Sequence, residues 1–230
     1  MDITSPPIKY LYKEIKKHTD VLLNKFQPST TTQTFFSSKS NSAELYDESV
    51  VQSYTKTMSS AKVAIGKRIM GKLMSKLNLT RVQAAALVGN FYAESGFVPS
   101  ILQNKHDGGY TLAQAIKGGY GRAGYGFAQW TYRTRQKSLL AFLDSKYGVG
   151  NGANHVMTED DNIGFIVHEL TKDYPTQLSR LKQYQFSSEG EHHVLVDATM
   201  YILEHYENPE EINRTTFKRA ERIGYAKQLL

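Results

Sequence analysis

Apolar residues recur at helical spacing along most of the chain beyond residue 60. Ile65, Ile69, Leu73 and Leu77, with Met70 and Met74 alongside, form one stripe that Asn78 is placed to end. Thr80 and Gln83 have capping-box spacing and open a second helix whose inward face is Ala84, Leu87, Val88 and Phe91. Residues 134–147 predict a further helix closed by Gly148, and Thr158, ahead of three acids, caps another. Ser188 and Glu191 repeat the capping-box spacing before Leu195, Ala198 and Ile202, with Pro209 beyond the end of that helix.

Two stretches break the pattern. Residues 107–130, DGGYTLAQAIKGGYGRAGYGFAQW, hold seven of the 17 glycines and read as loops with a small hairpin inside a helical domain. Upstream, residues 8–26 place Ile8, Leu11, Tyr12, Ile15 and Leu22 on one face of an amphipathic helix. The Ser/Thr-rich residues 27–43 then read as a linker carrying the apolar pair Phe35 and Phe36. The spacing predicts a boundary near residue 60, with an arm over 1–60 and a mainly α, α+β domain over 61–230.

Charge sharpens this picture. Residues 61–150 carry 13 Lys+Arg against three acids, whereas residues 151–230 carry 8 against 13. The basic stretch fits a solvated face or an anionic partner, and nucleic acid ranks last among such partners because the basic residues are interleaved with a cleft pattern. No run of about 18 apolar residues predicts a membrane span, and the first residues lack the pattern of a secretory signal. With no cysteine, disulfides and thiolate-held zinc are excluded, and the seven histidines show no i, i+4 pair, so neither metal nor cofactor is expected.

Only three acids, Glu94, Asp107 and Asp144, stand in that basic stretch. Glu94 follows Phe91 by three and Leu87 by seven, so it continues the apolar face into the last turn, ahead of the helix-stopping Gly96. Partial burial and the helix dipole both raise a carboxyl pKa there, which suits a general acid. The alternative is a helix-terminal Glu turned to solvent or paired with a lysine. The glycine-rich, aromatic segment that follows would give the acid a cleft to face, with rings able to stack on sugars.

The stretches ALVGNFYAESGFVPS (86–100), GYGFAQWTYRTR (124–135), NIGFIVHEL (162–170) and ATMYILEHYENP (198–209), followed by a last helix with Arg222 and Ala226, resemble the phage tail lysozyme family over about residues 61–228. The resemblance implies a lysozyme-like fold and a virion-associated peptidoglycan glycosidase that opens the wall during infection. Glu94 would protonate the leaving oxygen between two amino sugars, with Gln129 lining the cleft and Tyr125, Trp130 and Tyr110 as candidate sugar contacts. As the single Trp, Trp130 reads somewhat better as core than as a sugar contact, and Gln129 reads equally as a hairpin residue bonded to backbone. Asn162 stands where the family commonly has Gln.

Asp107, which opens the glycine segment, is the candidate second carboxylate, and its D-G setting also reads as a plain turn. With Asp107 serving, carboxyl separations of about 5 Å imply retention and about 6.5 to 9.5 Å inversion. Without it, Glu94 alone fits a lytic transglycosylase, and a virion adaptor that keeps the fold without catalysis is a further alternative. Asp144 reads as exposed, and Glu169, His168 and Glu207 as structural. The expected partners are the glycan strand and, through residues 1–60, other tail or virion proteins, with no nucleic acid and no membrane span.

Overall fold

Helix ends in this protein are set by side-chain caps and left-handed stops. In the computed structural model, which describes residues 46–185, 190–207 and 216–230, the elements are α1 (Glu48–Tyr54), α2 (Ser60–Leu77), α3 (Arg81–Ser95), α4 (Leu112–Ala115), α5 (Arg133–Tyr147), α6 (Glu159–His168), α7 (Pro175–Leu181), α8 (Glu191–Ile202) and α9 (Thr216–Leu229). The expected amphipathic helix at 8–26, the linker at 27–43, Ser188 and Pro209 lie outside the described residues.

Asn78 ends α2 at φ 53°, and its N–H returns to the Met74 carbonyl. The Thr80–Gln83 and Thr158–Asp161 pairs both close as capping boxes, and Gly148 ends α5 at φ 95°. At α8 the structure departs from expectation. Glu191 is the first helical residue after Gly190 at φ 94°, not the third residue of a box.

The described residues contain no strand, so the expected small hairpin is not formed as such. Ile101–Gln103 meets Gly124–Gly126 at a single antiparallel bridge, Leu102 to Tyr125, flanked by Gln103 N–H to Gly124 O (2.9 Å) and Gly126 N–H to Ile101 O (3.0 Å). The chain between them makes turns and the short α4. Positive φ at Gly109, Gly118, Gly119 and Gly121 interrupts any extended run there.

Helix α3 is the centre of the body. Sequence spacing predicts one buried face, but Val82, Ala85 and Ala86 are buried as well, because α2, α8 and α9 all pack around it. Small residues allow the close approach. A β-carbon at Gly89 would lie 2.7 Å from both the backbone N and the Cβ of Ala226, so α3 and α9 cross at glycine contact. One turn further along the same crossing, Glu94 of α3 meets Arg222 of α9. A satellite cluster of Tyr46, Val51, Val196, Met200, Leu203, Ala220 and Ile223 seats α1 against α8 and α9.

Two buried side chains at the start of α6 tie the glycine-rich segment to the helices. Asn162 accepts from Phe127 N–H (2.8 Å) and donates to the carbonyls of Pro99 (2.9 Å) and Thr158 (2.8 Å), so an Asn makes the helix-start contacts at this position. Asp161 accepts from Thr158, Lys146 and Tyr147. Burial pushes its pKa up, but the bonds from Lys146, Tyr147 and Thr158 outweigh that and hold it well below the usual carboxylate range. The stability this contributes is present above the unfolded-state pKa and is lost as pH falls from there towards the depressed folded value. Urea unfolding between pH 7 and 3 is expected to show Asp161→Asn less stable than wild type by about 2 kcal/mol at pH 7, with the gap closing in acid. A gap independent of pH would contradict this assignment.

Candidate active site

The end of α3 is a place where a carboxylate has few options. Ser95 turns its hydroxyl to the Phe91 carbonyl (2.7 Å), Gly96 reverses the chain at φ 56°, and Glu94 is left at the rim with 21% of its side chain exposed. Arg222 of α9, itself 4% exposed, donates its Nη2 to Glu94 Oε1. The expectation that Glu94 either faces a cleft or pairs with a lysine is thus answered by a buried arginine.

A second carboxyl lies close enough for the charge of Glu94 to act on it. Glu207, 7% exposed, ends the π-helical turn Leu203–Glu207 that continues α8. Burial first, and then Glu94, push its pKa well above the usual carboxylate range, against Arg135 and Arg222. Its Oε1 is buried and accepts no hydrogen bond from any described residue.

A third carboxyl, Glu169, is fully buried at the start of another π-helical turn, Glu169–Asp173, which continues α6. It takes Arg135 in a two-pronged pair (Nε to Oε1 2.8 Å, Nη2 to Oε2 2.8 Å), together with Trp130 Nε1–H (2.7 Å) and the Tyr206 hydroxyl (2.8 Å). Arg135 also lies 4.7 Å over the Tyr206 ring. Glu169 thus opens one π-helical turn and Glu207 closes the other, and both carboxyls are buried. Among the described residues, then, two buried arginines each hold a carboxylate, Arg135 with Glu169 and Arg222 with Glu94, and Glu94 is the carboxylate that reaches solvent.

The residues singled out from sequence fall into different places. Trp130 and Tyr125 are fully buried: the indole serves Glu169, and the Tyr125 hydroxyl donates to Tyr110 O (2.9 Å) and accepts from Met157 N–H (3.2 Å). Burial pushes the Tyr125 phenol up to about 12. Neither ring offers a face to a sugar in this structure; both hold the wall from behind. Gln129 sits half-buried at φ 44°, its amide donating to Gly126 O (3.0 Å), so it shapes the turn of the YGFAQW segment. Asp107 is exposed, and its carboxylate accepts from the half-buried Tyr110 (3.3 Å). It is not part of the Glu94 cluster. Asp144 binds the backbone N–H groups of Gly150 and Gly152 as the chain leaves α5.

A groove of about 370 Å³ is lined by Tyr132, Thr134, Arg135, Tyr174, Glu204, His205 and Tyr206. It shares Arg135 and Tyr206 with the buried cluster, and Tyr132 stands 50% exposed at its edge. Reading the sequence for chemistry passed over Tyr132 and took Glu207 as structural. For Glu207 a signal existed: like Glu94, it closes an apolar run, four positions after Leu203 and one after Tyr206. Tyr132 lies within the GYGFAQWTYRTR stretch, where Trp130 drew the assignment instead.

Among the described residues no group of His, Asp and Glu is arranged to hold a metal ion, and no helix is long and apolar enough to cross a membrane. The model of the phage tail lysozyme family matches residues 64–230. No curated protein and no solved structure matches the chain.

Proposed function

The chain belongs to the phage tail lysozyme family, a family of peptidoglycan hydrolases, and we propose that it cleaves the β-1,4 bond between amino sugars of the glycan strand with Glu94 as general acid. The observation that carries this reading is the position of Glu94. It lies in the family-matched region, at the end of the central helix, as the solvent-reaching member of a buried carboxyl and arginine cluster. An acid held by rigid neighbours yet open on one side can deliver a proton to a glycosidic oxygen without first being positioned by the substrate. Water then attacks the sugar cation to complete hydrolysis.

The groove beside Arg135 and Tyr206 is the saccharide-binding surface in this reading, with Tyr132 supplying the ring that Trp130 and Tyr125 do not. Tyr132→Ala is expected to raise KM for soluble glycan fragments by about tenfold, corresponding to about 1.4 kcal/mol of stacking, with kcat changed little. An unchanged KM would remove the groove from the binding surface.

One observation favours a second reading. Asp107 is exposed and engaged with Tyr110, away from the cluster, which leaves Glu94 without an open acidic partner among the contacts seen. A lytic transglycosylase needs one catalytic carboxyl, first as acid and then as base, and forms an anhydro ring without water. Digestion of purified peptidoglycan separates the two by product mass: reducing muropeptides establish the hydrolase, anhydro products the transglycosylase. No soluble product from several wall types would sink both.

In this reading the enzyme is carried on the phage tail and acts at the bacterial envelope. Residues 1–60 dock it to other virion proteins.

A further inference from the structure

Several cations between residues 61 and 150 are committed to partners within the fold. Arg68 and Lys72 pair with Glu159, Lys146 with Asp161 and Arg135 with Glu169, while Lys62 donates to the Gly96 carbonyl. Arg122, Arg133 and Lys137 stand apart from these. All three are exposed, and no described residue forms an ion pair with any of them.

Backbone contacts gather the three on one surface. The side chain of the fully buried Gln136 accepts from Gly121 N–H (2.7 Å) and donates to Ala123 O (2.7 Å), so the chain on both sides of Arg122 is fastened to the first turn of α5. A β-carbon at Gly121 would stand 4.0 Å from Arg133 N, and Lys137 Nζ lies 5.7 Å from the centroid of the Tyr120 ring. Arg133 and Lys137 are one turn apart on one face of α5, about 6 Å along its axis. Arg122 is thus held beside the turn that carries both.

The local sequence does not balance these charges. The one acid of α5, Asp144, comes two turns after Lys137 and is bonded to the N–H groups of Gly150 and Gly152. A helix dipole disfavours cations in the first turn, yet α5 opens on Arg133 with no acid there. Like charges gathered at such a place lower stability unless an anionic partner meets them.

Position selects the partner. Tyr132, Thr134 and Arg135 line the groove assigned to the saccharide, whereas Arg133 and Lys137 lie along the glycine-rich segment. A ligand that meets both surfaces carries sugars on one side of α5 and spaced negative charges on the other. Arginine favours phosphate among such charges, because its planar donors match the phosphate oxygens.

We infer that Arg122, Arg133 and Lys137 form a docking surface for the phosphodiester polymer attached to a bacterial glycan strand, a chain of polyol phosphates, which holds the enzyme on the wall while the groove takes the strand. The attachment to glycan rests on the groove being the saccharide surface; the binding of a phosphate polymer does not.

The probe is soluble poly(glycerol phosphate), bound to the full chain and to the triple variant Arg122→Gln, Arg133→Gln, Lys137→Gln. At about 50 mM salt the variant is expected to bind about tenfold more weakly, the combined effect of three exposed charge contacts. Wild-type binding is expected to weaken by about tenfold between about 50 and 500 mM salt, since exposed charges are screened. Equal binding by the two proteins, no binding by wild type, or wild-type binding that salt leaves unchanged overturns the proposal. Duplex DNA bound as tightly as poly(glycerol phosphate) at equal phosphate concentration also overturns it, and assigns the surface to nucleic acid. Walls stripped of phosphate polymer by hydrofluoric acid separate docking from the chemistry beneath it. The variant is expected to digest stripped walls as wild type does and untreated walls more slowly; wild-type rates on both overturn the docking role. A wild type that binds the polymer and digests neither wall removes the glycosidase reading and leaves the docking surface standing.

Discussion

Glu94→Gln is expected to lower wall digestion by about a hundred- to ten-thousand-fold, the range that a general acid contributes. The substitution removes the transferable proton and retains an oxygen where Arg222 donates. Because the Glu94 side chain is partly exposed while Arg222 is buried, the variant loses a charge partner for the arginine without vacating its site. A cost of about 1 to 2 kcal/mol is expected from that change, small enough for the protein to remain folded at room temperature. Release of soluble muropeptides is the measurement, with the fluorescence of the single tryptophan, Trp130, reporting that the cluster is intact. A folded variant that digests walls as wild type does would remove Glu94 from catalysis and favour the virion adaptor.

The largest stability effect is expected at Glu169. Four donated bonds end on this carboxylate, two from Arg135 and one each from Trp130 and Tyr206, and all of them are buried. Glu169→Ala leaves a buried guanidinium without its counter-ion, an indole N–H and a phenol without acceptors, and a cavity. Removal of one partner from a buried pair costs about 3 to 5 kcal/mol, and at about 2 to 4 °C per kcal/mol for a chain of this size the thermal midpoint is expected to fall by about 10 °C. Burial of both ions is itself expensive, so Glu169→Leu combined with Arg135→Met is expected to recover much of the loss. A midpoint within about 2 °C of wild type for Glu169→Ala would show that the cluster is not a structural keystone. Recovery in the double variant without recovery of activity would separate the two roles of the pair: fastening α5 to α6, and shaping the electrostatics around Glu207.

Helix ends were the most legible part of the fold. Asn78, Thr80 with Gln83, Gly96, Gly148 and Thr158 with Asp161 act on neighbours within four residues, so their function is written in local order. Ser188 and Glu191 show how that logic misleads: the spacing is right, but Gly190 at φ 94° starts the helix at Glu191. The glycine-rich segment was legible as loops, and less so as a hairpin, because positive-φ glycines make turns that only one bridge spans.

Aromatic side chains were the least legible. A ring at residue 125, 130 or 132 serves a sugar or a core equally well in composition, and the choice depends on which side of the segment faces the helices. Tyr125 and Trp130 point inward because buried groups, the Tyr110 carbonyl and Glu169, accept their polar ends. Tyr132 is left outside.

By itself, then, the sequence determined where the central helix starts and stops, that an acid stands at its exposed end, and which family pattern surrounds that acid. These depend on capping, periodicity and order along the chain. The tertiary structure alone decided what Glu94 faces. Arg222 lies 128 positions away and arrives through the glycine contact between α3 and α9, and the charge of Glu94 acts on Glu207, which closes a π turn after α8. Coulomb interactions act through space at a few ångströms, and only packing brings residues so distant in sequence to that range.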